Sequence, residues 1–383
     1  MDIFQEENKT IAGMRKPEPS NEDERYMLRA IELAEGGRGW TSPNPLVGAV
    51  IVGAGRIIGE GFHEFVGGPH AEVNALENAT EDVSGATIYV TLEPCAHQGR
   101  TPPCTDRVVE SGVTRVVMAM KDPNPQVSGA GERLLREHGL QVDSGPYPEI
   151  AGRQNEGYLK WVTNGMPFVT LKMAMSLDGK VATRTGESKW ISSEISRADA
   201  HLIRASSDAI MVGIGTVVHD DPRLTARTGR QTPTPTRVVV DSLGRTPLDS
   251  HVADSEEAET LVAVSGSAPE ESVRALEERG VEVARMDDRG KVDLRGLLEL
   301  LGERGVLNLL VEGGPELTRA MWEAGLVDKL VFYFAPKVIG GCGAPGPVGG
   351  TGVDSIDQAY PLTIDAVFAI GPDLKVVAYP GGV

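Results

Sequence analysis

Pro69-His70-Ala71-Glu72, read with Pro94-Cys95-Ala96-His97-Gln98-Gly99-Arg100-Thr101-Pro102-Pro103-Cys104, is the part of the sequence that decides how the rest is read. One imidazole and two thiols are ligands that suit zinc, and three protein ligands leave the fourth tetrahedral position open to a water whose acidity the ion raises. His70, Cys95 and Cys104 are therefore the expected metal ligands. Glu72 lies two residues past His70, so on a helix its side chain leaves the ligand row and is better placed to move protons than to hold metal.

A His-x-Glu followed by Pro-Cys and a second cysteine is the pattern of zinc deaminases acting on nucleobases. Here eight residues separate Cys95 from Cys104, where that pattern has C-x-x-C. The same residues also have an ordinary reading. Buried cysteines often serve as small hydrophobes, and His63 or His97 as a fourth ligand would close the site into a structural one. Cys342 is remote in sequence and has no expected chemical role. The combination of the two motifs, each at a strand end or helix start, favours an open catalytic zinc.

Composition narrows the field. With 383 residues, two domains are expected. No apolar run reaches the roughly 20 residues of a membrane helix, and the polar, acidic start has neither the basic region nor the apolar core of a secretion signal. Three cysteines make no disulfide framework, so a cytoplasmic protein is expected. A formal charge of −18 repels a phosphate backbone and points to a small substrate rather than nucleic acid.

Working outward through the first half, residues 1–22 read as a disordered tail. A helix follows from Asp23 to Glu35, stopped by Gly36-Gly37. Asn44 is held between Pro43 and Pro45 just before a buried strand from Leu46; its amide offers a donor and an acceptor to a pyrimidine edge, or is simply a turn asparagine. A return strand ends at His63, and strands at 86–92 and 113–120 alternate with helices. This is a three-layer α/β domain with ligands at the strand-to-helix ends, where helix N-termini favour thiolates. The deaminase domain is assigned to 23–148 and a linker to 149–166.

In the second half, from 167 to 383, strand and helix alternate again. Gly213-Ile214-Gly215-Thr216 and Glu312-Gly313-Gly314-Pro315 each follow a buried strand; the second, with proline at a helix start, reads as a phosphate seat or as an ordinary tight αβ turn. The first lacks a third glycine and is a partial dinucleotide fingerprint.

Asn44-Pro45-Leu46-Val47-Gly48, Gly61-Phe62-His63, Pro69-His70-Ala71-Glu72 and the stretched Pro94-to-Cys104 segment resemble the bifunctional deaminase–reductase family of riboflavin biosynthesis. In the second half, Lys172 to Gly179, Trp190-Ile191, Arg204 to Arg227, Glu312-Gly313-Gly314 and Ala335 to Gly341 resemble its reductase domain. The resemblance implies a cytidine-deaminase-like domain followed by a dihydrofolate-reductase-like α/β domain, with Zn2+ and NADPH as cofactors. It implies that Asn44, His63, His97 and Arg100 line the deaminase pocket, Arg100 standing where many members have lysine. It further implies that Ser188, Arg204, Leu224, Arg227 and Glu312 touch the reductase substrate. Ala174, Trp190, Thr216, Asp220, Ser242 and the segment Gly314, Pro315, Glu316, Leu317, Thr318, Arg319 and Ala320 would touch NADPH. Arg204 and Arg227 suit a phosphate clamp, because guanidinium meets phosphate bidentately.

The expected function is zinc-dependent deamination of a phosphoribosylated diaminopyrimidinone, then NADPH-dependent reduction of its ribosyl group to ribityl. The expected partner is that phosphorylated pyrimidine, with no nucleic acid and no membrane; a homo-oligomer is compatible with the sequence. Three rivals remain: a nucleic-acid or nucleoside deaminase with a non-catalytic second domain, a zinc-stapled binding module, and an enzyme with only the first activity.

Overall fold

The computed structural model describes residues 10, 11, 13–96, 102–124 and 128–381. The chain divides into two compact units, residues 2–165 and 166–383.

The first unit opens with a short antiparallel ladder of β1 (Thr10–Ile11) and β2 (Met14–Arg15). Ile11 is buried in the cluster that holds Tyr26 and Met27, so the expected disordered tail does not extend over this ladder. Helix α1 (Glu22–Ala34) starts at Asn21, whose side chain accepts the Glu24 amide at 2.9 Å, a favoured N-cap. Then follow β3 (Gly48–Gly53), β4 (Arg56–Phe62), α2 (Ala71–Glu77), β5 (Thr87–Val90), α3 (Cys104–Glu110), β6 (Arg115–Met118), α4 (Ala130–Glu137) and β7 (Gln141–Ser144).

These strands form one sheet in the order β4-β3-β5-β6-β7. β3 runs antiparallel to β4 and β5, whereas β5, β6 and β7 are parallel. The alternation of β3 sorts its side chains between two cores. Ala49 and Ile51 join Ala71, Ala75, Val108 and Leu135 from α2, α3 and α4. Val50 and Val52 join Met27, Leu28 and Ile31 of α1 on the opposite face.

Residues 149–166 are not a linker. They form α5 (Pro148–Gln154) and α6 (Glu156–Asn164), and Ile150 and Ala151 lie in the α1-side core. Burying one side chain such as Ile150 contributes about 2 kcal/mol, so this segment is a working layer of the first unit. Its Pro and Gly content suggests a join, but Pro148 is at the first helical turn, where proline is tolerated.

The second unit is built on a nine-stranded sheet in the order β12-β11-β10-β9-β15-β8-β16-β18-β17. Its strands are β8 (Phe168–Ser176), β9 (Ala209–Gly213), β10 (Thr236–Val240), β11 (Thr260–Val264), β12 (Glu282–Arg285), β15 (Asn308–Val311), β16 (Lys329–Ala335), β17 (Leu362–Ile370) and β18 (Asp373–Pro380). A minor ladder pairs β13 (Asp287–Asp288) with β14 (Lys291–Val292). Strands β12 to β16 in the sheet order are parallel, and the β17–β18 hairpin closes that edge antiparallel.

Helices cover both faces. On one, α10 (Leu294–Glu303) and α11 (Pro315–Glu323) bring Leu297, Leu298, Leu301, Leu317 and Met321 against β8, β9 and β15. On the other, α8 (Ile214–Asp220) and α9 (Glu270–Glu278) bring Val217, Val273 and Leu276 against β9, β10 and β11. Ile195 and Ile203 of α7 (Glu194–Ala205) pack on that second face beside Tyr333.

Candidate active sites

In the first unit, His70 is the N-cap of α2, Cys95 follows β5, and Cys104 is the first residue of α3. The seat of α2 is set by β4. A Cβ at Gly61 would come within 2.3 Å of the Ala75 nitrogen, and one at Gly59 within 2.4 Å of the Ala75 oxygen. Glycine at both positions lets the helix carrying His70 and Glu72 lie against the strand.

The ligand atoms of His70, Cys95 and Cys104 lie within 4.8 Å of one another. His70 Nδ1 is 3.1 Å from Cys104 Sγ and 3.6 Å from Cys95 Sγ. Tetrahedral zinc with nitrogen at ~2.0 Å and sulfur at ~2.3 Å separates those atoms by about 3.5 Å, so the donor set fits the ion in chemistry and spacing. Glu72 is not one of the three converging residues and is only 3% exposed. Burial, and then the negative charge of Cys95, pushes its carboxyl up to about 7.

The thiols differ from the expectation for a helix start. The Cys104 backbone N–H donates to Cys95 Sγ at 3.3 Å, so the first amide of α3 serves the other cysteine. Hydrogen bonds from Cys104, and then from His70, bring the Cys95 thiol down to about 4, while its neighbour drives Cys104 upward.

Asn44 and His63 come together beside this trio. His63 Nδ1 faces the Pro69 carbonyl at 3.0 Å, and that carbonyl only accepts, so Nδ1 carries the proton. His63 Nε2 then accepts from Asn44 Nδ2 at 3.0 Å. The two histidine rings meet edge to face at 5.2 Å, and burial pushes His63 down, which keeps it neutral. The expected contacts at His97 and Arg100 lie outside the described residues.

Glu93 has no motif of its own, yet it anchors the loop that carries Cys95. Its buried carboxylate accepts the amides of Asp122 (3.3 Å), Gly129 (3.0 Å) and Glu132 (3.1 Å). The sequence signal was present: an acid at the end of a buried strand, directly before Pro94-Cys95.

In the second unit the two glycine turns are neighbours, because β9 and β15 pair directly. A Cβ on Gly314 would lie 3.7 Å from Thr216 Oγ1, so the starts of α8 and α11 adjoin at the carboxyl ends of parallel strands. Open α/β sheets bind ligands at such ends, and the first backbone amides of a helix have no partner within it. Ser188 Oγ lies 3.4 Å from Asp220 Oδ1, and Trp190 is 64% exposed with the Arg197 guanidinium 4.5 Å over its ring.

Several expected contacts are turned elsewhere. Leu224 has its side chain in the hydrophobic core, packed with Val212, Val217 and Val239. Leu317 and Thr318 face the sheet because α11 buries that side. Arg319 is paired with Glu316 at 3.2 Å and Glu323 at 2.8 Å along its own helix. Arg204 does not offer its bidentate edge to phosphate: Nε and Nη2 bond both Glu312 oxygens at 3.0 and 2.6 Å, and Nη1 bonds the Thr225 carbonyl at 3.2 Å. Arg227 remains exposed, with Nη1 on Thr225 Oγ1 at 3.0 Å.

Burial alone would raise the Glu312 carboxyl; the Lys172 ammonium and Arg204 guanidinium outweigh it and hold it at about 2. Lys172 was not expected at the site, although one lysine in the otherwise apolar alternation of β8 is an exception to notice.

A partly buried His-Cys-Cys trio with a buried acid beside it, joined in sequence to a parallel sheet with glycine turns at its carboxyl edge, defines a zinc-type deaminase unit and a nucleotide-dependent reductase unit on one chain. Comparison with known proteins agrees. Residues 20–120 match the cytidine and deoxycytidylate deaminase zinc-binding region, and residues 167–376 match the RibD C-terminal domain. The riboflavin biosynthesis protein RibD of Actinobacillus pleuropneumoniae is 44% identical over 94% of this chain and 96% of its own. That of Aquifex aeolicus is 43% identical over 92% and 97%. A solved structure of Acinetobacter baumannii RibD superposes with a TM-score of 0.86 at 38% identity, covering 94% of this chain and 99% of its own. A Thermotoga maritima structure, described as a diaminohydroxyphosphoribosylaminopyrimidine deaminase/5-amino-6-(5-phosphoribosylamino)uracil reductase, gives 0.84 at 37% identity over the same shares. The chain belongs to the RibD family of bifunctional riboflavin-biosynthesis enzymes, with a deaminase and a reductase domain. Among the described residues no helix is long and apolar enough to cross a membrane.

Proposed function

We propose that the first unit deaminates a phosphoribosylated diaminopyrimidinone at a zinc held by His70, Cys95 and Cys104, and that the second reduces the ribosyl group of the product with NADPH. The observation that carries the reading is the convergence of three zinc-type ligand atoms within 4.8 Å, beside a buried carboxyl that is not one of them. The chemistry these groups supply when bound is the acidification of a water in one site and a hydride in the other.

The rest falls to the chain. Net deamination exchanges a ring amino group for a carbonyl oxygen, consuming water and releasing ammonia. The Glu72 carboxylate takes a proton from the water side and returns protons to the ring and the departing amine, a role suited to a carboxyl pushed up to about 7. Asn44, with one amide hydrogen given to His63, keeps its Oδ1 and its second hydrogen for a pyrimidine edge.

In the reductase unit, the adjoining starts of α8 and α11 offer backbone amides to the cofactor phosphates, with Thr216 and Gly314 at those starts and Ser242 past the end of β10, the strand beside β9. Preference for NADPH over NADH rests on the family resemblance, with Ser242 and Arg245 available to a ribose phosphate. Glu312, fixed as a carboxylate by Arg204 and Lys172, and Arg227 face the substrate; Arg227 is the residue assigned to its phosphate. The protein is expected to act in the cytoplasm, on a small substrate.

The test supplies purified protein with the diaminopyrimidinone substrate, with and without NADPH, and follows ammonia, the absorbance of reduced nicotinamide and product mass. Ammonia without NADPH, then NADPH oxidation only once ammonia has been released, is the expected result. Release of no ammonia from the zinc-loaded protein sinks the first half; absence of NADPH oxidation on the deaminated compound sinks the second.

A further inference from the structure

Asn155 lies between α5 and α6, outside both regions matched by family models, in the stretch that reads as a linker. It is the N-cap residue of α6, where asparagine normally turns its side chain onto the first amides of its own helix. It does not do so here. Its side chain makes no capping bond and is 3% exposed.

All its polar capacity goes to the backbone. Oδ1 accepts the Leu46 amide at 2.7 Å, and Nδ2 donates to the Leu46 carbonyl at 2.9 Å and to the Ala151 carbonyl at 3.2 Å. Both polar groups of one residue are thus held by one amide side chain, across 109 positions of sequence. Giving up a local cap for a distant two-point clamp is the kind of local conflict that marks a residue held for the site rather than for its own helix.

Leu46 is two residues from Asn44, and the intervening Pro45 has a fixed φ, so constraint at Leu46 is carried to Asn44 with little slack. The other end of the turn is fixed by the Asn44 amide on the Thr41 carbonyl at 2.7 Å. Asn44 in turn donates to His63, which donates to the carbonyl of Pro69, the residue before His70. A continuous run of hydrogen bonds and rigid peptide therefore links Asn155 to the edge of the metal trio.

We propose that Asn155 is a positioning residue for the deaminase: its clamp on Leu46 aims the Asn44 amide at the pyrimidine. The inference rests on the deaminase reading above. It makes 148–164 part of the pyrimidine site rather than a spacer.

The test compares the full-length, zinc-loaded wild type with Asn155→Leu and Asn155→Ser, measuring deaminase KM and kcat, zinc per chain, and NADPH oxidation on the deaminated intermediate. Wild-type ammonia release establishes the underlying reading, so its failure is seen separately. The expected result is a KM for the pyrimidine raised about tenfold or more with kcat within about threefold, as for loss of an orienting contact shared by bound substrate and transition state. Zinc content and reductase turnover should match the wild type. Asn155→Ser, which retains a hydroxyl that donates or accepts, should fall between the two. Unchanged KM in both variants overturns the proposal. So does a parallel fall in kcat and zinc content in Asn155→Ser, which would mark Asn155 as structural only; should Asn155→Leu not fold, the serine variant alone decides.

Discussion

The two sites of this chain are built from different materials. The proposed deaminase site consists of side chains: one imidazole, two thiols and an acid, brought together from the start of α2, the segment after β5 and the start of α3. The proposed reductase site is mostly backbone: two adjoining glycine turns at the ends of β9 and β15, with a few side chains around them. Side-chain chemistry has a narrow vocabulary, so His-x-Glu and the cysteine pair are legible at once. Backbone amides are supplied by any residue, and a glycine turn looks much the same whether or not it holds a phosphate.

The contrast is tested most severely by removing metal. Chelation, or Cys104→Ala, should abolish ammonia release to background while NADPH oxidation on the deaminated intermediate stays within about twofold of the wild type, since no ligand of the trio belongs to the second unit. Equal loss of both activities would contradict the separation of the two chemistries.

Next in size is Glu72→Gln. It should leave zinc content unchanged and lower deaminase kcat about 10²- to 10⁴-fold, the usual contribution of a positioned proton carrier. Loss of zinc in this variant would move Glu72 into the ligand set.

The reductase unit should respond differently, because Arg204 and Glu312 form a largely buried ion pair there. Arg204 and Glu312 have side chains 14% and 10% exposed, so Glu312→Gln leaves a buried guanidinium short of its partner. A loss of about 3 kcal/mol in the stability of this unit is expected, read by chemical denaturation. The pH dependence has a defined sign. The Glu312 carboxyl is held at about 2 against an ordinary 4.5, so it binds its proton less readily when folded. Its stabilising contribution is complete above about pH 4.5 and is lost as pH falls toward 2. Glu312→Gln should flatten this part of the acid-unfolding curve.

The smallest effect is the one that most sharpens the comparison. Gly314 has no left-handed backbone, and a Cβ there meets Thr216 Oγ1 at an ordinary 3.7 Å. Gly314→Ala should therefore fold with unchanged deaminase activity. If the turn seats the cofactor, the added methyl raises the KM for NADPH several-fold, by about 1 kcal/mol of binding. An unchanged KM would move the cofactor away from this turn.

The places where sequence reading fell short share a cause. The presence of two units, most strands and the residues His70, Cys95 and Cys104 that converge are legible in the sequence because apolar alternation and motif spacing are local. Residues 149–166 were misread because Pro148 and Gly152 look like a join, whereas what makes α5 and α6 part of the first unit is the burial of Ile150 and the reach of Gln154 to the Ile31 carbonyl. Arg204 looked like a phosphate clamp because its partner Glu312 is 108 positions away. Leu317 and Thr318 looked available because a motif does not say which side of α11 faces the sheet. The β17–β18 hairpin went unassigned: much of β17 is exposed, so it lacks the buried-strand signature.

The most direct measurement is X-ray absorption at the zinc edge on the full-length protein as purified. The account predicts one zinc per chain with two sulfur ligands at about 2.3 Å and two lighter ligands at about 2.0 Å, one from His70 and one from solvent. A shell with a single sulfur, or a protein that binds no zinc while still releasing ammonia, would contradict it.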